Sequence, residues 1–184
     1  MTSRRIIVRL LILGGAFLAI LVLPAASMLV CLVIADPFGV SAHPTDRAML
    51  VQFQKQRGAL DELVRMIAED ANLVRLAPDF TRPEDPASAG ASAERIAAYR
   101  RLCAQAGIAH GFSHYGDAIE FIVHTQGLSI SGSAKGFVYA ASADDDATVV
   151  DGDLDAAAAA SLQDKDVLLE RKIDDNWWLI LDMR

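Results

Sequence analysis

Residues 77–91 form a predicted loop whose polar side chains could carry out chemistry. The segment holds three prolines and shows no hydrophobic periodicity. Asp79 is a candidate general base, and Arg82 is a candidate anion clamp because a guanidinium binds an oxyanion through two hydrogen bonds. An internal ion pair between Asp79 and Arg82 would pin the loop and explains the same residues. Long loops inside compact domains are often functional, so the sequence predicts a binding surface here.

Two histidines and one lysine follow in a region of alternating, strand-like sequence. His114 and His124 fall on strands that we expect to pair, which would let the two side chains approach each other. Lys135 falls in the small-residue segment 132–136, where we expect a tight bend that projects the lysine toward a ligand. A zinc site would need a third ligand, and no Cys or Glu is placed to supply it. Together with Asp79, these three side chains are the candidates for a small hydrolase.

Aspartates alternate at Asp151, Asp153 and Asp155, in a pattern similar to the opening of a calcium-binding loop. Such a loop requires glycine at its sixth position and a bidentate acid at its twelfth, but Ala156 and Leu162 stand there. A solvated turn, followed by a helix capped by Asp153 or Asp155, fits these residues better. The sequence therefore predicts no metal ion and no cofactor.

Trp177 and Trp178 would place one indole on each face of the last predicted strand. We expect one ring in the core and the other, Trp178, exposed at a contact surface, because an indole combines an apolar body with a polar N–H. The candidate binding residues are therefore Asp79, Arg82, Lys135 and Trp178. No serine elbow, dinucleotide-binding glycine pattern or Cys/His dyad identifies a catalytic group.

An apolar run at residues 10–35 contains no charged side chain. A helix needs roughly 20 apolar residues to cross a hydrocarbon core of about 30 Å, so this run is long enough. We interpret it as an uncleaved transmembrane helix between a cytoplasmic N-terminus, residues 1–9, and a linker, residues 36–44. A cleaved secretory signal is the alternative, but the run is longer than a signal requires.

Charge predicts the orientation and some of the partners. Arg4, Arg5 and Arg9 precede the apolar run, and basic residues mark the cytoplasmic side. Residues 45–184 are therefore expected in the periplasm or outside the cell, and the excess of arginine over lysine is typical of GC-rich bacteria. Without those three arginines, 14 basic residues face 24 acidic ones, which gives a formal charge near −10. Such a surface repels nucleic acid.

Periodicity in residues 45–184 predicts one α+β domain. A helix is expected from residue 46 to about residue 70 after an N-cap at Thr45, and a second from the N-cap Ser92 to the C-terminal Gly107. Beyond Gly107, apolar residues alternate, which predicts an antiparallel sheet of four to six strands packed on the two helices. Hairpin turns are expected at residues 116–117 and 174–176, and a strand through Leu128 and Ile130.

These observations favour a single-pass, membrane-anchored extracytoplasmic domain that acts as a binding or assembly module in the bacterial cell envelope. Its expected partners are the membrane, through residues 10–35, and an envelope protein. The alternative is a small cell-envelope hydrolase that uses residues among Asp79, His114, His124 and Lys135. Convergence of those side chains in a cleft would favour the hydrolase, and their dispersal or mutual neutralisation would favour the binding module.

Overall fold

The computed structural model describes residues 42–127, 132–161 and 166–183. The helices there are α1 (Asp46–Glu69), α2 (Ala93–Ala106) and α3 (Leu154–Ala160), with a 3-10 helix at Pro86–Ala89. The strands are β1 (Arg75–Leu76), β2 (Thr81–Arg82), β3 (Phe112–Tyr115), β4 (Ala118–Gln126), β5 (Ser133–Tyr139), β6 (Thr148–Val149), β7 (Val167–Asp174) and β8 (Trp177–Met183).

The predicted α+β class is confirmed, but the sheet is larger than expected. Its eight strands lie in the order β2-β1-β3-β4-β5-β8-β7-β6. The two-residue strands β1, β2 and β6 account for the excess, because segments so short carry no alternation that a sequence could reveal. The pair β6–β7 is parallel, whereas every other pair is antiparallel, as predicted.

The two long helices begin and end at the predicted capping residues. The Thr45 hydroxyl accepts a hydrogen bond from the amide of Ala48, and the Ser92 hydroxyl accepts one from Arg95. At the end of α2, Gly107 adopts a φ of 72°, and the amide of Ile108 donates to the Cys103 carbonyl over 2.8 Å. This left-handed C-terminal motif favours glycine because a side chain there is strained.

The helices pack on one face of the sheet and form the main core. Phe53 on α1 contacts Phe137 and Trp177, with ring centroids 5.6 and 5.4 Å apart, and Tyr99 on α2 contacts Phe112 at 5.4 Å. The opposite face carries a smaller apolar cluster, against which Ala143 and Ala147 pack; its buried members are Val138, Ala140, Leu168, Trp178 and Ile180. We call this opposite side the groove face, because a groove crosses it.

A β-bulge in β4 decides which face His124 occupies. The pairing of β4 with β5 shifts between Ile122 and His124, so that His124 lies directly opposite Lys135. Strict alternation would have placed His124 on the groove face with Glu120, but a bulge reverses the direction of the side chains that follow it. Paired residues share a face. His124 therefore lies on the helix side of the sheet.

Among the described residues, no helix has the length and hydropathy needed to cross a bilayer. The predicted transmembrane segment 10–35 lies outside the described residues, as do the N-terminus 1–9 and all but the last residues of the linker. The strand expected through Leu128 and Ile130 lies outside them too.

Candidate functional site

Of the four predicted hydrolase residues, only His124 and Lys135 are neighbours, because they pair across β4 and β5. His114 pairs with Ile119, which stands five positions before His124 on β4, or roughly 16 Å along a strand. Asp79 is an exposed residue of the turn between β1 and β2. The expectation that His114 and His124 approach each other is therefore wrong, because the hairpin register separates them.

The predicted binding residues lie on three different parts of the domain. Arg82 is exposed on β2, close to Asp79, as expected for a surface residue. Trp178 is on the groove face and only 7% exposed, with its indole N–H donating to the carbonyl of Ala140 over 3.1 Å and the ammonium of Lys172 lying 5.4 Å from its ring. The expected exposure of Trp178 is therefore wrong, whereas the placement of its neighbour Trp177 in the core is confirmed.

Lys135 is completely buried inside β5 rather than projecting from a bend. Its ammonium lies 2.8 Å from Asp46 Oδ1 and 2.6 Å from Asp155 Oδ1. Arg171 lies 3.5 Å from the other oxygen of Asp46, which also accepts a hydrogen bond from the amide of Leu154 over 2.8 Å. We call these four charged residues the Lys135 cluster.

The Lys135 cluster is electrically balanced, since two cations face two carboxylates. Asp46 is 1% exposed and stands in the first turn of α1, where the helix dipole also favours a negative charge. Sequence reasoning placed Asp46 only in the first turn of the helix and gave Arg171 no role. Burial and mutual neutralisation indicate that the cluster joins α1, α3 and the sheet.

Three carboxylates lie close together, as they would at a metal site, but the ammonium of Lys135 already contacts two of them. Oxygens of Asp46, Asp153 and Asp155 lie within 4.8 Å of one another. The Lys135 ammonium contacts two of these three residues, and Asp153 caps α3 by accepting from the amide of Ala156 over 2.9 Å. The predicted helix cap at Asp153 is therefore confirmed, and each carboxylate of the group has a structural role.

A chain of polar side chains lies beside the Lys135 cluster. Ser133 Oγ is 2.6 Å from Nε2 of His43, and Nδ1 of His43 is 3.1 Å from Nδ1 of His124. Burial is the main cause that lowers the pKa of His43 to about 4, and the charges of His124 and Lys135 act in the same direction. Of these three residues, sequence reasoning considered only His124 as a site residue.

A groove of about 650 Å³ crosses the groove face. Its walls carry six carboxylates, and none of the described residues lining it is basic; the acids are Asp117, Glu120, Asp144, Asp145, Glu170 and Asp182. Apolar side chains of Val138, Leu168 and Ile180 also line it. Tyr115 stands at the rim and is 66% exposed. We call this feature the acidic groove.

Glu170 is the buried member of the acidic groove, with 1% of its surface exposed. Burial raises the pKa of its carboxyl above the ordinary value, and the hydrogen bond that it accepts from the amide of Asp144 over 3.1 Å opposes this rise. The negative charge of Asp144 raises the pKa further. Burial, more than neighbouring charge, therefore disfavours the ionised form of Glu170.

No family model matches this chain, and no match was found among curated proteins or solved structures.

Replacing Glu170 with glutamine should stabilise the protein at pH 7 by on the order of 1 kcal/mol, because the amide avoids burying a charge. At pH values between the ordinary and the raised pKa, the unfolded chain has lost a proton that the folded protein keeps, so stability falls as the pH rises. In the glutamine variant, this fall in stability with rising pH should be absent. Urea unfolding at pH 4 and pH 7 measures it, with Asp117→Asn as the exposed control.

Proposed function

We propose that the protein is a single-pass, membrane-anchored binding module of the bacterial cell envelope, and that its acidic groove binds a basic, partly apolar segment of a partner protein. The observation that carries the proposal is the lining of the groove, which combines the exposed carboxylates of Asp117, Asp144 and Asp145 with an apolar floor. The dispersal of Asp79, His114 and Lys135, and the neutralisation of Lys135, favour binding over the predicted hydrolase.

Charge complementarity determines the kind of partner. Carboxylates of one sign that line a cleft focus a negative potential, which attracts cations and speeds their association. Nucleic acid and anionic lipid headgroups are repelled by the same potential. A lysine- or arginine-rich segment is attracted by it, and the paired positive side chains offset the desolvation of the carboxylates.

The apolar floor favours a peptide over a bare cation. Val138 and Ile180 present aliphatic surface between the acidic walls, and Tyr115 extends it at the rim. Apolar surface of this kind gains free energy only when it covers apolar groups of a ligand, at about 25 cal/mol per Å². The groove volume of about 650 Å³ also falls within the usual range of binding sites, roughly 300–1,000 Å³.

The predicted anchor, residues 10–35, would place the acidic groove near other proteins of the same membrane. A helix at residues 10–35 would hold the domain at the outer surface of the cytoplasmic membrane, as the preceding arginines favour. Tethering raises the effective concentration of the groove toward partners in the same membrane, so a weak contact suffices for assembly. A membrane-bound or membrane-associated envelope protein with a basic segment is the partner that suits this arrangement.

The test uses the purified full-length protein in mild detergent and a fluorescent peptide that alternates lysine or arginine with leucine. We expect saturable binding that weakens as salt is raised, because screening acts on exposed charges. The double substitution Asp144→Asn with Asp145→Asn should weaken binding about 10-fold, since each exposed ion pair supplies roughly 0.2–1 kcal/mol. The control, Glu84→Gln with Asp151→Asn, removes the same charge from exposed sites outside the groove lining.

Two results would contradict the proposal. Equal weakening by the control pair would mean that net charge, rather than the groove, attracts the peptide. Binding of the polyamine spermine as strong as that of the peptide would mean that the apolar floor contributes nothing and that a small cation is the ligand.

A further inference from the structure

The geometry points to a nucleophilic site at Ser133, with His43 as its general base and His124 as a positioning residue, that acts on a carboxylic ester. This activity goes beyond the proposed binding function and lies on the opposite side of the sheet from the acidic groove. It also differs from the hydrolase predicted from the sequence, because Asp79 and His114 take no part.

The first requirement of such a site is a base within reach of the nucleophile. Ser133 Oγ and His43 Nε2 are 2.6 Å apart, at the short end of the 2.6–3.2 Å that proton transfer requires. Both side chains are partly exposed, so an acyl group can approach the hydroxyl from solvent. Ser133 is the first residue of β5, and His43 lies two residues before the α1 N-cap, Thr45.

The second requirement is a group that orients the base. Nδ1 of His43 is 3.1 Å from Nδ1 of His124, and the two rings meet edge to face, at 79° with centroids 5.1 Å apart. If His43 Nδ1–H donates to His124, then His43 Nε2 carries the lone pair that accepts the Ser133 proton. A third group that fixes the tautomer of the base in this way is the logic of a nucleophile–base–orienter triad.

The third requirement is a base that is unprotonated at working pH. Burial is the main cause that lowers the pKa of His43 to about 4; His124 and Lys135 act in the same direction, and Asp155 acts in the opposite one. His43 is therefore a neutral imidazole at pH 7, but also a weaker base than an ordinary histidine, so its role depends on its placement 2.6 Å from Ser133 Oγ. Lys135 itself is fully buried and paired with Asp46 and Asp155, so it cannot contact a substrate.

The bulge in β4 places His124 next to His43. Without the register shift after Ile122, His124 would face the groove and could not contact His43. Bulges of this kind often occur beside active sites, where they re-aim a side chain. Residue 136, which pairs with Ile122 just before the shift, must be glycine, since a Cβ there would lie 2.1 Å from the carbonyl oxygen of Phe121.

The reaction balances with ester and water alone. Ser133 Oγ bonds to the ester carbonyl carbon as its proton passes to His43 Nε2, and the alcohol leaves with that proton as the C–O bond breaks. Water then attacks the acyl-Ser133 ester, giving one proton to His43. The carboxylic acid departs, and the proton on His43 returns to Ser133 Oγ.

The test treats full-length protein in mild detergent with a fluorophosphonate probe, which bonds to an activated serine as fluoride leaves. We expect one adduct, mapped to Ser133 by peptide mass spectrometry, and hydrolysis of p-nitrophenyl acetate. Ser133→Ala should abolish both. His43→Gln should slow labelling of Ser133 at least about 100-fold, the contribution expected of a general base.

Control variants separate catalysis from folding. Ser88 is an exposed serine whose hydroxyl donates to the carbonyl of Asp85 and not to a histidine, so Ser88→Ala should leave labelling unchanged. His124→Gln should slow labelling and move the acidic limb of the rate–pH profile upward from about pH 4, because one cause of the lowered pKa of His43 is removed. A merely structural histidine would not move that limb. Thermal melting of each variant shows whether it folds.

Three results would overturn the inference. The first is modification of Ser133 no faster than that of Ser88. The second is labelling that His43→Gln leaves unchanged in a folded protein. The third is a nitrogen NMR spectrum showing the proton of His43 on Nε2, which would make that nitrogen a donor to Ser133 rather than its base.

Discussion

Replacing Lys135 with methionine should destabilise the protein by about 3–5 kcal/mol, the usual cost of breaking one side of a buried ion pair. Methionine fills much of the volume of the lysine side chain, so the change removes charge more than packing. Among the described residues, the Asp46 carboxylate, 1% exposed, would keep only the amide of Leu154 and the more distant Arg171 as partners. Urea unfolding of the full-length protein measures the loss.

A second substitution shows whether the loss is electrostatic. Adding Asp46→Asn to Lys135→Met removes the unpaired carboxylate, so the double variant should be more stable than the sum of the two single changes predicts. A coupling energy of 0.5–3 kcal/mol is usual for residues in direct contact. Asp155→Asn alone should cost no more than about 1 kcal/mol, because that carboxylate is 39% exposed and screened by solvent. Additive single and double effects would contradict this account of the Lys135 cluster.

Helix boundaries could be predicted because the signals that set them are local. Thr45 and Ser92 each accept a hydrogen bond from an amide three residues later, and Gly107 supplies the left-handed turn at the end of α2. The turn at residues 116–117 follows the same rule, since the alternating strands β3 and β4 flank it directly. In each case the deciding residues lie within one turn of the feature.

The Lys135 cluster could not be predicted because its members meet only through the fold. Asp46 precedes Lys135 by 89 positions and Arg171 follows it by 36, so no spacing rule relates them. In the sequence, Lys135 stands between small residues, which favoured a bend and an exposed charge. In the structure Lys135 is buried instead, because the carboxylates of Asp46 and Asp155 offset the cost of burying its ammonium.

The polar chain and the acidic groove were missed for a related reason. A bulge leaves no mark on hydrophobic alternation, so His124 appeared to share a face with Glu120, and His43 appeared to be part of a linker. Net charge did predict an acidic surface. It could not show that acids from β4, β7, β8 and the segment after β5 line one groove, since that depends on strand order.

Replacing Gly136 with alanine should destabilise the protein by at least about 3 kcal/mol, among the larger effects of a single substitution. The added Cβ would lie 2.1 Å from the Phe121 carbonyl oxygen and 3.1 Å from its carbon. These are backbone atoms of the neighbouring strand, so the clash can be relieved only by separating β4 from β5. Such a shift would also move His124 relative to Lys135 and His43.

Gly58 provides the matched control, because a Cβ there would meet nothing within 4 Å. It lies inside α1, where alanine is favoured over glycine by about 1 kcal/mol. Gly58→Ala should therefore raise the unfolding free energy while Gly136→Ala lowers it, although the chemical change is identical. If Gly136→Ala unfolded with nearly unchanged stability, the strand pairing that places His124 beside Lys135 would be wrong, and the nucleophilic site would lose its positioning residue.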